Sequence, residues 1–119
     1  MNDLILDLEK LVYDVKKNNK KIGLGIISFD VINVECIRFF RYMKQKIDFL
    51  IIGIKPEKDF VISIEDKIKI LENFETVDFV FEIKTNINDI LKKINPDLFK
   101  EFKTTFNIYN RIIEKKLKE

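Results

Sequence analysis

The sequence predicts an α/β domain, a three-layer α/β/α sandwich around a short parallel sheet of Rossmann-like plan, with extra helices at the N- and C-terminal ends. Three observations predict it. Short β-branched apolar runs, KIGLGII at 21–27, DFLIIGI at 48–54 and VDFVFEI at 77–83, read as strands buried on both faces. The segments between them carry apolar residues at spacings of three and four, the mark of one helix face. The strands are separated by stretches long enough for the right-handed crossovers that parallel pairing requires. A chain of 119 residues suits one domain spanning 1–119, long enough to bury about two thirds of its surface around one core.

The elements follow in order. Leu4, Leu8, Leu11, Val12 and Val15 define a helix over 3–17 that stops at Asn18-Asn19. The strand 21–27 follows, then a turn at Ser28-Phe29-Asp30. A helix over 34–46 presents Ile37, Phe40 and Met43, with Asn33 as its N-cap. After the strand 48–54, residues 55–62 form a loop, and Ser63 with Asp66 opens a third helix in the manner of a capping box. Ile64, Ile68, Leu71 and Phe74 give that helix its apolar face. The strand 77–83 precedes a short helix over 87–94, and Pro96-Asp97 opens a fourth strand or a loop. A closing helix over 105–118 carries Phe106, Tyr109, Ile112 and Ile113.

Composition excludes several classes. With 46% hydrophobic and 35% charged residues, the chain is globular and not disordered. No apolar run approaches the roughly 20 residues needed to cross a bilayer, and the charge-interrupted start is not that of a signal peptide. Cys36 is the only cysteine, which leaves no intrachain disulfide and no cysteine-based zinc site, and suits a reducing cytoplasm. The charge of +2 is spread along the chain, without the basic stripe of a nucleic-acid binder. Lys16-Lys17, Lys20-Lys21 and Lys115-Lys116 read as solvated helix ends that complement the dipole. No grouped carboxylates point to a metal.

The stretch Ile27-Ser28-Phe29-Asp30-Val31-Ile32-Asn33-Val34-Glu35-Cys36 falls at the first strand-to-helix turn. It resembles the GxFDxxHxGH signature of the nucleotidyltransferase superfamily of cytidylyltransferases and sugar-phosphate adenylyltransferases. DFLIIGI resembles that family's GDxLIVGV strand, Glu65-Asp-Lys-Ile-Lys-Ile-Leu71 its ExRxxxL helix, and Val77-Asp-Phe-Val80 its VDxV strand. The N-terminal helix, Lys20-Lys21 and Asn95-Pro96-Asp97 are similar to the heptose-phosphate adenylyltransferase branch, with the glycerol-phosphate cytidylyltransferase type close by. The resemblance covers almost the whole chain, and its weight lies in the ordered series, since no single motif is intact. It implies a site built from Ser28, Phe29, Asp30, Asn33, Glu35, Cys36 and Lys67. Thr104-Thr105 resembles the family's ISTT phosphate loop, with Arg111 near its basic position. There the spacing is off by one and a long segment is missing before it, which chance also explains.

The departures decide the expectation. The chain has no histidine, and the two family histidines that steady the phosphates are Asn33 and Cys36. Loss of one positioned acid or charge-stabilising donor commonly costs about 10²–10⁴-fold. Asn33 still donates a neutral hydrogen bond; a thiol barely does. Glu35 takes the place of a glycine that lets phosphates approach a helix N-terminus. A carboxylate ~4 Å from a phosphate charge repels it by about 4 kcal/mol at an effective dielectric near 20. Lys67 keeps the charge of the family's arginine and loses its fork.

Against these functional readings stand plainer ones. Asp30 reads first as a turn former, Cys36 as a small packed residue with no base to activate it, and Asp78 as a strand residue facing an edge. Three functions remain open. One is a degenerate nucleotidyltransferase-like domain, inactive or impaired, acting in binding or assembly, with a nucleotide or sugar-phosphate as possible partner and no certain cofactor. Another is an active enzyme passing a nucleotidyl group from ATP or CTP with Mg2+ to a sugar- or polyol-phosphate, using Asn33, Lys67, Lys58, Thr104 and Thr105. The last is a receiver-like or flavodoxin-like module, a receiver wanting paired acidic residues at the end of the first strand, where Ser28-Phe29-Asp30 offers one carboxylate. The apolar faces of the terminal helices predict a two-fold homodimer.

Overall fold

In the computed structural model of the chain, the described residues are 2–28, 34–56 and 62–102. Their order is α1 (Asn2–Lys17), β1 (Ile22–Ile27), α2 (Val34–Lys44), β2 (Phe49–Ile54), α3 (Ile64–Glu72), β3 (Phe79–Glu82), α4 (Ile87–Ile94) and β4 (Leu98–Phe102). The four strands form one sheet in the order β3-β2-β1-β4, every pair parallel. Helices cover both faces, so the fold is a Rossmann-like three-layer sandwich. The segment after Pro96-Asp97 is a strand, and the predicted closing helix 105–118 lies outside the described residues. Among the described residues no helix is long and apolar enough to cross a membrane.

The two halves of the core follow from strand alternation. Ile27, Leu50, Ile52 and Ile54 point to the side of α2 and α3, where they meet Cys36, Phe40, Met43 and Leu71. Ile22, Leu24, Ile26, Ile51 and Phe81 point to the other side, toward Leu8, Val12 and Val15 of α1 and Ile90 and Ile94 of α4. α1 is therefore part of a layer and not an addition to it. Its Leu8, Val12 and Val15 are buried, which corrects the expectation that the N-terminal helix leaves an uncovered apolar face.

Local chemistry ends the helices where the sequence predicts. α1 closes in a Schellman turn: Lys20 N–H donates to Val15 O, Asn19 N–H donates to Lys16 O, and Asn19 takes the left-handed φ of 59°. Ser63 caps α3, its hydroxyl accepting from Asp66 N–H at 3.2 Å. α4 ends on Asn95 at φ 46°, and Pro96 cannot continue it. The Lys16 ammonium donates to Asn95 O at 3.0 Å, tying the ends of α1 and α4 together.

One device recurs at the amino ends of the strands. Asp48, Asp78 and Asp97 each stand one residue before β2, β3 and β4. Each brackets a single residue in, or immediately before, a neighbouring strand: its carboxylate accepts that residue's N–H, and its own N–H donates to that residue's C=O. Lys21 N–H reaches Asp48 Oδ2 at 2.8 Å and Asp48 N–H reaches Lys21 O at 2.9 Å. Leu50 and Asp78 do the same at 2.8 and 2.9 Å, and Ile22 and Asp97 at 2.8 and 2.8 Å. Every pairing of the sheet is thus pinned at its first residue, where a one-residue slip would turn apolar side chains to the wrong face. Asp78 also pairs with Lys44 of α2. This corrects the reading of Asp78 as a residue inside the strand: it precedes the strand, where its carboxylate stands in for a ladder carbonyl.

Gly23 is required by close packing. A Cβ there would meet Ile47 Cγ1 at 2.7 Å and Ile47 Cδ1 at 3.1 Å, and a methylene held on a β-branched stem swings aside less readily than the tip of a long side chain. Gly23→Ala is expected to destabilise the fold by about 1–3 kcal/mol, read from the urea midpoint. An unchanged midpoint would show that the seat between β1 and the end of α2 is loose.

Candidate functional site

Strand order locates the site. β2 and β3 extend the sheet to one side of β1 and β4 pairs on the other, so the chain reverses direction between β1 and β4. In open α/β sheets the crevice beyond the carboxyl ends at such a switch point is where ligands sit. A receiver or flavodoxin has the order 2-1-3-4-5 instead, which removes that alternative; β1 is central here.

The described walls of this crevice are few. Ser28 follows β1 and its N–H reaches Phe102 O at 3.4 Å, joining the ends of β1 and β4. Lys55 N–H donates to Ile27 O and Ile83 N–H to Ile54 O, both at 2.9 Å, so the carboxyl ends of all four strands are held in line. The Phe102 ring stacks on Phe39 of α2, with centroids 4.5 Å apart and planes 10° from parallel. This stack holds the middle of α2 against the end of β4. α2 and α3 both begin at this edge, which brings their positive dipole ends to it.

The sequence-predicted residues divide sharply. Cys36 is fully buried and packs with Phe40 and Met43, four and seven residues on along the same helix face. It belongs to the core, not to the crevice. Glu35 is half-buried in the first turn of α2, and its Oε1 lies 3.4 Å from Arg38 Nη1. The Arg38 side chain is 71% exposed, so this surface pair by itself holds Glu35 only weakly. Lys67, one turn into α3, is 1% exposed and is the one charged residue buried among the described residues. The structure therefore gathers Ser28, Glu35, Cys36 and Lys67 on elements that meet at one edge, with Cys36 turned into the core. Phe29, Asp30, Asn33, Lys58, Thr104, Thr105 and Arg111 lie outside the described residues.

Concave surface elsewhere is shallow. Grooves of about 240 and 250 Å³ run between α2 and residues 74–76, lined by Ile37, Phe74 and Glu75 in the first, Lys44 and Gln45 in the second, and Arg41 and Thr76 in both. They lie away from the switch point and below the roughly 300 Å³ of ordinary ligand pockets. Among the described residues no three histidine, cysteine or acidic side chains gather as metal ligands would. The aspartate brackets are what sequence reasoning missed. Their signal was present as Asp48-Phe49, Asp78-Phe79 and Asp97-Leu98, an acid followed at once by a strand in each case.

No protein-family model matches the chain, and no curated protein matches it. Among solved structures, the lipopolysaccharide core biosynthesis protein from Thermoplasma volcanium GSS1 superposes with a TM-score of 0.62 at 12% identity, over 67% of this chain and 72% of that one. At that identity the likeness concerns architecture, and it identifies the chain as a Rossmann-like α/β domain built on the same plan as that protein.

Proposed function

We propose that the chain is a nucleotidyltransferase-type domain whose crevice serves binding or assembly and not nucleotidyl transfer. The observation that carries this reading is the first turn of α2. In the family that the motif series resembles, this turn offers phosphates a histidine and a bare backbone; here it offers Glu35, while Cys36 is buried in the core. A carboxylate at a helix N-terminus takes the favourable end of the dipole for itself. A triphosphate approaching the same turn meets that charge. The fold neighbour, a lipopolysaccharide core biosynthesis protein, is compatible with a nucleotidyltransferase-like architecture.

Lys67 favours a second reading. A cation kept on α3 at the family's arginine position is what an active site using ATP or CTP would need for a phosphate. Mg2+ would then arrive on the triphosphate oxygens, as part of the substrate, with Asn33, Lys58, Thr104 and Thr105 as further candidates around it.

Titration of wild type and Glu35→Gln with Mg2+–ATP and Mg2+–CTP, together with a transfer assay on sugar phosphates, separates the two. Wild type is expected to bind at millimolar concentration or more weakly and to show no turnover. Glu35→Gln is expected to bind about tenfold more tightly, the bare repulsion being discounted for solvent screening. Wild-type turnover in the ordinary enzymic range, about 1–10³ per second, would overturn the binding-domain reading in favour of the second.

A further inference from the structure

Five large apolar side chains are exposed among the described residues: Tyr13, Val34, Ile37, Tyr42 and Ile70. All but Tyr13 lie on one layer, with Val34, Ile37 and Tyr42 on α2 and Ile70 on α3. Val34 is 59% exposed and Ile37 36%. They stand three residues apart on α2, Val34 on the side away from the buried stripe of Cys36, Phe40 and Met43 and Ile37 on the flank that faces Phe74. The charges around them are sorted by helix. The exposed face of α2 carries Arg38 and Arg41, with the half-buried Glu35 beside Arg38 on its flank. That of α3 carries Glu65, Asp66 and Glu72 with Lys69 among them, so the balance is basic on α2 and acidic on α3. One layer thus presents a basic apolar ridge beside an acidic one.

We propose that this layer is the interface of a two-fold homodimer in which α2 of each copy lies on α3 of the other. The sorting of charge selects the symmetry axis. Both helices start at the carboxyl edge of the sheet and run back across it, so they are parallel to each other. A two-fold axis across the helices would set α2 on α2 and arginine on arginine. An axis along the helices exchanges the two sides, placing Arg38 and Arg41 against Glu65 and Glu72 twice over and burying Val34, Ile37 and Ile70 between them. Such an interface is isologous and closes on itself. α2, 11 residues long, measures ~16 Å, and two helices ~10 Å apart make a face smaller than the roughly 800 Å² per partner of a standard interface. The dimer is accordingly weak, with dissociation in the micromolar range or above, and salt weakens it further. None of this depends on what the crevice binds.

The test is charge reversal on the full chain, read by sedimentation velocity from micromolar to millimolar concentration. Wild type is expected to dimerise, less at high salt. Arg38→Glu with Arg41→Glu places acid against acid, and Glu65→Lys with Glu72→Lys places base against base, so each double variant is expected to be a monomer. Mixed in equal amounts the two variants match at both contacts and are expected to form a heterodimer. Circular dichroism confirms that each variant is folded; a double variant that fails this check is replaced by its milder pair, Arg38→Ala with Arg41→Ala or Glu65→Gln with Glu72→Gln, expected to weaken dimerisation at least tenfold. A wild type that stays monomeric throughout overturns the proposal. Variants that dimerise as wild type does, or a mixture that stays monomeric while wild type pairs, overturn it equally.

Discussion

Replacing Asp78 and Asp97 together by alanine is expected to destabilise the fold by about 2–6 kcal/mol, on the order of half the stability of an ordinary domain. Each substitution leaves a part-buried strand N–H, that of Leu50 or of Ile22, without its acceptor. Such a loss costs about 1–3 kcal/mol. The two sites sit on β3 and β4, at opposite edges of the sheet, roughly three strand spacings or 14 Å apart, so their costs should add. Asp78→Ala also removes the partner of Lys44. Asparagine keeps a side-chain oxygen for the same N–H, and the double asparagine variant is expected to retain most of the lost stability. Asp48→Ala is expected to cost least of the three, because the N–H it serves, on Lys21, is exposed. Urea unfolding reads this as a fall in midpoint with an unchanged slope. A double-alanine loss below about 0.5 kcal/mol, the scatter of ordinary surface changes, would mean that water replaces the carboxylates and that register is set elsewhere.

Phe40→Ala is expected to cost about 3–5 kcal/mol, the usual range for emptying a fully buried aromatic site. Phe40 is 0% exposed. Its ring meets Phe39 with centroids 5.9 Å apart and Phe74 at 5.7 Å, edge to face at 71°. It thereby joins α2 to the turn after α3, and the cavity left by alanine would be lined by groups from both. For a domain of this size the thermal midpoint should drop by on the order of 10–25 °C. A drop of less than about 5 °C would show that the layer collapses onto the gap. The same change loosens the seat of α2, whose first turn carries Glu35.

The layering was legible in residue order because burial imposes periodicity. KIGLGII, DFLIIGI and VDFVFEI can be strands only if both faces are covered, and the three-and-four spacing of the helices supplies the covers. Caps were legible for a similar reason: Ser63 and Asn19 do their work within a few residues, so the chemistry is local. β4 was harder to read. Two of its five residues are the charged pair Lys100-Glu101, and an edge strand buried on fewer sides writes a fainter pattern. Of the candidate site, the turn after β1 and the start of α2 were legible as motifs, but which side chain faces the crevice was not. Cys36 and Glu35 are neighbours in sequence with opposite fates, because 100° of helix rotation separates core from surface.

Sequence by itself determined the class of fold, the bounds of most elements and the presence of Asn33, Glu35 and Cys36 at the first strand-to-helix turn. All of these are properties of residue type at short range. Only the tertiary structure decided that β1 is central, that Cys36 is sealed in the core, that Lys67 is buried, and that three aspartates pin neighbouring strands. The place of β1 and the aspartate brackets depend on contacts between residues 27 to 75 positions apart, which helix and strand periodicity cannot encode. The sorted charges of α2 and α3 belong to both levels: the residues are plain in the chain, but their meeting on one face is a consequence of how the sheet orders its helices.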